Sequence, residues 1–313
     1  DTYNYIKKLR KNYPKTKIVV FDLFRDKSSS ENGNLLSLGH YKNLIGFEGD
    51  IICGDINVTS DLRRLNDFKF DYIFHFAAIS DTRADNQKIL MQTNVNSFYD
   101  ILKIAEKNKS TLVYASSAAT YGNSLSPQLV GSESPENAYG YSKFLMDKIA
   151  FRASNRNPKL NIVGLRYFNV YGPKEFYKGK TASMVIQLGH QILDNSPPKL
   201  FEESDKILRD FIYIDDVTQA NIKACFSKKN GVFNVGTGQP RSFQDIADIL
   251  QKELNTDLGT EYFPNPYKNY QKHTQASIDS TEECLGFKPL TSLEKGIQLY
   301  ISDIKELYDQ KNT

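Results

Sequence analysis

The sequence contains no tryptophan, three cysteines and four histidines in 313 residues, and each scarcity removes a class of function. Cys53, Cys225 and Cys284 are far apart and odd in number. That excludes a disulfide framework and suits a reducing cytoplasm. His40, His75, His190 and His273 show no H-x-x-x-H spacing, and no C-x-x-C occurs, so no metal site is expected. No segment approaches the roughly 18 to 20 apolar residues that cross a bilayer, and no apolar core follows the N-terminal charges as a signal would require. A soluble, cytoplasmic protein with no membrane partner is expected. Charge of one sign is also missing: 40 basic residues face 37 acidic ones, a net +3. With no basic block interleaved with aromatics, nucleic acid is not an expected partner. Hydrophobic residues at 40% and charged residues at 25% exclude disordered and fibrous classes.

What is present is alternation. Near-continuous apolar runs predict strands over 17–24 (KIVVFDLF), 48–55, 70–78 (FDYIFHFAA), 111–115 and 161–167. Helical patterns separate them, over 3–12, 60–68 and 86–108, with another helix starting near Tyr139. Strands alternating with helices imply βαβ units and a parallel sheet covered on both faces, an α/β fold. Such sheets bind ligands at the carboxyl ends of their strands. That edge then carries Asp22, Asp55, 77–80 and 116–117. After about residue 180 the pattern loses its regularity, then strands return at 210–214 and 231–235 and amphipathic helices at 243–254 and 293–307.

A further absence concerns the phosphate loop. A doubly wound nucleotide-binding domain opens with a strand and a Gly-rich turn that holds a pyrophosphate on a helix N-terminus. No G-x-G-x-x-G or G-x-x-G-x-x-G occurs in these 313 residues, and the chain opens at Asp1. Because 3–12 reads as the end of the helix that follows such a turn, about 15 to 25 preceding residues are expected.

Two stretches carry candidate chemistry: YASSAATYG, residues 114–122, and YGYSK, residues 139–143. Tyr139 and Lys143, at i and i+4, share a helix face, so an ammonium can lower the phenol from about 10 toward neutrality. A phenolate so tuned takes a proton from an alcohol while a nicotinamide takes the hydride. Among 19 tyrosines a lysine four positions on is expected about once by chance, so the pair alone decides nothing. Ser117, leaving the end of a strand, offers a second hydroxyl for the same substrate oxygen; taken singly it is equally a turn-capping serine.

Together with Ala77, Ala78 and Ala118, these features resemble the extended short-chain dehydrogenase/reductases, the family of nucleotide-sugar epimerases, over essentially the whole chain from Lys17 onward. The resemblance implies a Rossmann-like doubly wound parallel sheet with a smaller α+β substrate-binding lobe. The dinucleotide-binding domain would span 1–168, with 210–240 returning to it, and the lobe 169–209 and 241–313. Dehydratases of the family carry an Asp-Glu pair just after the catalytic serine or threonine. Here Ala118 and Ala119 stand there, which favours epimerisation or plain oxidoreduction over elimination. RYFNVYGPKEFYKGKTAS (166–183) and YQKHTQA (270–276), with the two opening stretches, are similar to the ADP-heptose 6-epimerase branch of the family.

That resemblance implies inversion of carbon 6 of the heptose in ADP-D-glycero-manno-heptose, through a 6-keto intermediate, for the lipopolysaccharide core. A carbon outside the ring inverts by hydride removal, rotation and hydride return, so its oxygen occupies two positions. The resemblance implies that Tyr139 serves one and Lys178 the other, with Lys143 and Ser117 completing the catalytic set. It further implies that Asp22, Phe24, Arg25, Asp55, Ala77, Ala78, Ile79, Ser80, Asn94 and Val170, with Tyr139, Lys143 and Lys178, line the cofactor. Ser117, Asn169, Lys180, Gln187, Phe201, Glu202, Glu203, Ser204, Arg209 and Tyr270 would hold the nucleotide sugar. The planar fork of Arg209 suits a diphosphate independently of the resemblance; the plain alternative is a surface ion pair with Asp205 or Asp210. Lys180 and Gln187 depart from the serine and histidine common in the branch. Asp22 by itself favours NAD, whereas Arg25 and Lys27 could hold a 2′-phosphate, and the resemblance favours NADP. A homo-oligomer is also implied. The other readings open at this point are a different nucleotide-sugar epimerase or reductase of the family, and a dinucleotide-binding fragment without turnover.

Overall fold

In the computed structural model, which describes residues 11, 14–26, 28–266 and 271–312, the centre is a four-stranded parallel sheet. Its strands are β3 (Tyr72–His75), β4 (Thr111–Ser117), β5 (Ile162–Tyr167) and β9 (Gly231–Val235), hydrogen-bonded in that order. β1 (Val19–Asp22) and β2 (Asp50–Cys53) form a separate parallel pair. The intervening helices are α1 (Thr59–Arg63), α2 (Gln87–Leu90), α3 (Ser97–Asn108), α4 (Ala138–Arg156) and, after an irregular stretch, α5 (Met184–Leu193) and α6 (Ile214–Phe226).

The period of two along the strands explains why both sheet faces are covered. On β4, Leu112 and Tyr114 point into one core with Phe98, Ile101 and Leu102 of α3 and Met146, Ile149 and Ala150 of α4. Val113 points to the other face, where Val163 and Leu165 of β5 meet Val217, Ala220 and Ala224 of α6. The expected α/β class with helices on both faces is present.

The second core continues into a smaller unit. β8 (Leu208–Tyr213) pairs with β6 (Asn169–Tyr171) in parallel and with β10 (Pro240–Ser242) in antiparallel fashion, and β7 (Lys199–Phe201) pairs with β11 (Glu261–Phe263). α7 (Phe243–Leu254), α8 (Asp279–Leu285) and α9 (Leu293–Asn312) complete the chain. The strand expected at 210–214 therefore exists but joins the small sheet, so the return to the main sheet begins with α6. Asp210 links the two: its fully buried carboxylate accepts from Thr237 N and Oγ1, Gly238 N and Ala276 N at 2.6–2.9 Å.

Three local features differ from the sequence reading. The helix expected over 86–108 is interrupted by a π-helical stretch, Met91–Asn96. Such stretches cluster where a side chain is re-aimed, and here it carries Asn94. The run read as irregular after residue 180 contains α5, whose Val185, Ile186, Leu188 and Ile192 are buried at helical spacing. The helix expected over 3–12 lies outside the described residues except Lys11.

Candidate active site

α4 begins where the chain needs a helix start. Asn137 caps it, its Oδ1 accepting from Gly140 N at 2.7 Å, which places Tyr139 in the first turn. β4 runs two residues further than expected, so Ser117 is its last residue and caps the short 3₁₀ turn Ala118–Tyr121, accepting from Ala119 N at 3.1 Å. Gly140 brings the two together. A Cβ at Gly140 would collide with the Ala119 carbonyl, so only glycine lets the helix lie flush against that turn. Ser117 and Tyr139, 22 residues apart in sequence, are thus brought side by side, close enough for the Ser117 hydroxyl to bear on the phenol's proton affinity.

Lys143 is buried at 2% exposure, one turn along α4. Its Nζ donates to the Ala115 carbonyl at 2.8 Å and lies 5.9 Å from the centre of the Tyr139 ring. Burial pulls its pKa from 10.5 to about 8, with Asp147 opposing the shift. The phenol departs from expectation. Burial pushes Tyr139 up rather than down, and the groups that oppose this are the Ser117 hydroxyl and the positive charge of Lys178, not Lys143. The physical reason is desolvation: a buried phenolate loses water before it gains a cation. Lys178 itself lies in the 3₁₀ stretch Phe176–Thr181, half-buried, followed by Gly179 at φ 57°.

Behind Tyr139 stands a row of satisfied buried polar groups. Asn94 is fully buried, accepts from Ile79 N at 2.9 Å, and donates to Ile79 O and Ser142 Oγ at 3.0 Å. Ser142 donates to Tyr139 O at 2.7 Å. Asn94 therefore ties the segment after β3, with Ala77, Ala78, Ile79 and Ser80, to α4. One turn beyond Lys143, Asp147 accepts from Tyr114 OH (2.8 Å), Ser116 Oγ (3.0 Å) and Arg166 Nε and Nη2 (3.0 and 2.8 Å). Arg166 also donates to Glu133 at 2.6 Å and stacks over Tyr121 at 4.9 Å. Burial raises the Asp147 carboxyl and the guanidinium opposes that; two bonds from an obligate cation keep it ionised. The sequence reading missed Asp147 and Arg166. The signal for Asp147 was its place at i+8 from Tyr139 and i+4 from Lys143.

On the dinucleotide side, the carboxyl ends of β1 to β4 bring Asp22, Asp55, 77–80 and Ser117 toward one edge. Asp22 accepts from Phe24 N at 2.7 Å, Phe24 adopts φ 59°, and burial raises the carboxyl. Gly39 passes close enough that a Cβ there would collide with Asp22 Oδ1, so the chain leaves a cradle around this carboxylate. Asp55 is fixed by Asn57, whose N and Nδ2 donate at 2.8 and 2.9 Å. Arg25 is exposed. These residues fit the adenosine and nicotinamide ends of a dinucleotide. Among the described residues no Gly-rich turn is present for the pyrophosphate.

On the substrate side the picture is mixed. Val170 is half-buried on β6 beside exposed Asn169. Ser204 is buried and its Oγ has no hydrogen-bond partner, whereas Glu202 and Glu203 are exposed, Glu203 paired with Lys206 at 2.6 Å. Phe201 packs edge-on against Phe263. Gln187 Nε2 donates to Ala182 O at 2.6 Å and Lys180 is exposed. Arg209 is buried. Its Nη1 donates to Leu208 O at 2.8 Å and its Nη2 to Gln271 O, with the guanidinium 5.9 Å over Phe243. Tyr270 and Lys27 lie outside the described residues. Among those described, no cluster of His, Cys, Asp and Glu could hold a metal, and no helix is long and apolar enough to cross a membrane.

A carboxylate cradle after β1, a Ser-Tyr-Lys set at the end of a parallel strand with its tyrosine and lysine buried, and a small second sheet are the frame of a dinucleotide-dependent enzyme of nucleotide sugars. The chain belongs to the NAD dependent epimerase/dehydratase family, whose model matches residues 5–236. Within it, the chain is 38% identical over 278 residues to the ADP-L-glycero-D-manno-heptose-6-epimerase of Brachyspira hyodysenteriae, covering 85% of this chain and 86% of the relative. The crystal structure of the Helicobacter pylori ADP-L-glycero-D-manno-heptose-6-epimerase superposes with a TM-score of 0.87 at 47% identity, covering 96% of this chain and 92% of that one. The UDP-glucose 4-epimerase of Thermotoga maritima shares the fold (TM-score 0.86, 24% identity, 97% and 95% covered).

Proposed function

We propose that this chain is a nucleotide-sugar epimerase that inverts carbon 6 of the heptose in ADP-D-glycero-manno-heptose, a step toward the lipopolysaccharide core. The observation that carries the reading is the chain's similarity to ADP-heptose epimerases, 38% identity over 278 residues to one and 47% to another. Beside it, Gly140 lets the first turn of α4, with Tyr139, lie against the turn that follows Ser117, and the positive charge of Lys178 opposes the upward push of burial on the phenol.

A bound nicotinamide supplies the hydride acceptor and returns the same hydride. Around it, Ser117 and Tyr139 would hold the C6 hydroxyl of one epimer, and Tyr139, acting from its phenolate form, would take the hydroxyl proton to become the neutral phenol as the C6–H bond breaks. Lys143 supplies positive charge one helical turn away, and its Nζ is held by Ala115 O. The 6-keto group then turns, and Lys178 gives a proton to the oxygen in its second position. Asn169, Ser204 and Arg209 bind the sugar nucleotide, and Tyr270, Lys180, Gln187, Phe201, Glu202 and Glu203 complete that surface. Residues 1–168 with 214–240 act as the cofactor domain, and 169–213 with 241–313 as the substrate lobe, since β8 pairs within the small sheet.

The preferred cofactor is NADP. The likeness to the heptose epimerases favours it, and the exposed cation Arg25 stands three residues beyond Asp22, next to its hydrogen-bond partner Phe24. Fluorescence titration with NADPH and NADH tests this, and tighter NADH binding overturns it. The enzyme works as a homo-oligomer in the cytoplasm; exposed Tyr99 and Phe151 on α3 and α4 support the assembly, and a monomeric mass by light scattering overturns it. Incubation with a panel of nucleotide sugars tests the substrate. Turnover of ADP-heptose is expected, and turnover of UDP-hexose alone would favour another epimerase of the family, consistent with the departures at Lys180 and Gln187.

A further inference from the structure

The loop that carries Lys178 leaves β6 at Gly172 and re-enters regular structure at Ser183, the N-cap of α5. Near its start lies an acid that no catalytic step uses. Glu175 is 3% exposed, an unfavourable place for a carboxylate unless donors surround it. Its Oε2 accepts from Ser183 N at 2.8 Å, and its Oε1 from Ser183 Oγ at 2.5 Å and, at the long limit, Gly172 N at 3.5 Å. The carboxylate thus bonds both ends of the loop. From α9 the buried Tyr300 phenol faces it, raised by burial and by this charge.

The backbone inside the clasp is fixed to the same residue. Lys178 N donates to Glu175 O at 2.9 Å, Thr181 Oγ1 to Lys178 O at 2.8 Å, and Ala182 N to Gly179 O at 3.1 Å. Gly179 takes the left-handed turn that brings the chain back. Every bond in this set lies within 172–183. From the dinucleotide side, Asn43 Nδ2 reaches the Lys174 carbonyl at 3.4 Å.

We propose that Glu175 is a positioning residue for the second acid/base group: its buried carboxylate closes the loop 172–183 and thereby holds Lys178 toward Tyr139. This rests on the two-base reading above. Glu175 does not touch the reacting atoms, so it acts only on the half of the reaction that Lys178 serves.

That asymmetry supplies the test. Each ADP-heptose epimer is mixed separately with cofactor-loaded enzyme in single-turnover flow, and oxidation is followed by nicotinamide absorbance. Lys178→Met slows the epimer whose C6 oxygen faces Lys178 and spares the one facing Tyr139. Glu175→Gln is expected to show the same one-sided loss, about 10- to 100-fold, in the rate constant rather than in substrate affinity, and to add little in the double variant with Lys178→Met. Ser183→Ala, which removes one donor, gives a smaller loss of the same sign and stands in if Glu175→Gln does not fold. Equal slowing of both epimers, or slowing of neither, overturns the proposal while Lys178→Met remains one-sided. If Lys178→Met is itself symmetric, the two-base reading falls and takes this proposal with it.

Discussion

The two halves of the reaction centre are built on different principles. Tyr139 and Lys143 sit on a 19-residue helix backed by Asn94, Ser142, Asp147 and Arg166, all buried and all hydrogen-bonded to other elements. Lys178 sits on a half-exposed loop closed by contacts within a dozen residues. The first half inherits its geometry from the main sheet, and removing any one bond leaves the others to hold it. The second is closed by the Glu175 clasp. On the proposed two-base reading, the difference teaches that one chemical task, holding an acid/base group against a single carbon, is met once by long-range packing and once by local closure.

The comparison can be broken from either side. The largest effect is expected for Tyr139→Phe, a loss of about 10³-fold or more in epimerisation rate, because the phenol carries the proton for one oxygen position. Lys178→Met follows with about 10²- to 10³-fold, and the double variant is slower than either. Steady-state rates on ADP-heptose check both; near-normal turnover in Lys178→Met would remove the second base.

Next comes the scaffold behind the helix. Asp147→Ala leaves the Arg166 guanidinium buried with only Glu133 as ionic partner, and such breaks cost about 3–5 kcal/mol. A fall of that size in unfolding free energy by denaturant titration is expected. Exposed pairs such as Lys103 with Asp100 give at most about 1 kcal/mol, so Asp100→Ala should leave the transition nearly unmoved.

The smallest effect is a pH dependence that separates charge from stability. Lys143 has a folded pKa of about 8 against 10.5 for an ordinary lysine. Below about 8 both states hold the proton and the cost of burying the ammonium is present in full. Between about 8 and 10.5 the unfolded chain binds more protons, so this group's contribution to stability rises with pH. Loss of the ammonium over the same range lowers the rate. A pH-rate profile falling above about 8, with no parallel fall in melting temperature, is the expected result. A rate that tracks melting would point to unfolding instead.

Much of the first half was legible in the sequence. Near-continuous apolar runs marked β1 to β5 within a few residues, and the i, i+4 spacing of Tyr139 and Lys143 placed both on one face of α4. Ser117 was legible because β4 ends there. The direction of the Tyr139 shift was not, since it depends on how much water the fold removes, and that quantity follows from the closeness of Gly140 to Ala119. α5 went unread because its apolar positions lie between a glycine-lysine loop and two prolines. The π-helical stretch at Asn94 went unread because nothing local demands it; the bond partners Ile79 and Ser142 are 15 and 48 residues away.

By itself, then, the sequence determined the α/β class and the placing of Ser117 at a strand end and of Tyr139 and Lys143 on one helix face, because periodicity and residue chemistry are local properties. The tertiary structure decided which cation opposes burial at Tyr139, that Arg209 turns inward, and that one buried carboxylate closes the loop of Lys178. Those are matters of desolvation and of contacts between distant segments, and only the packed chain fixes them.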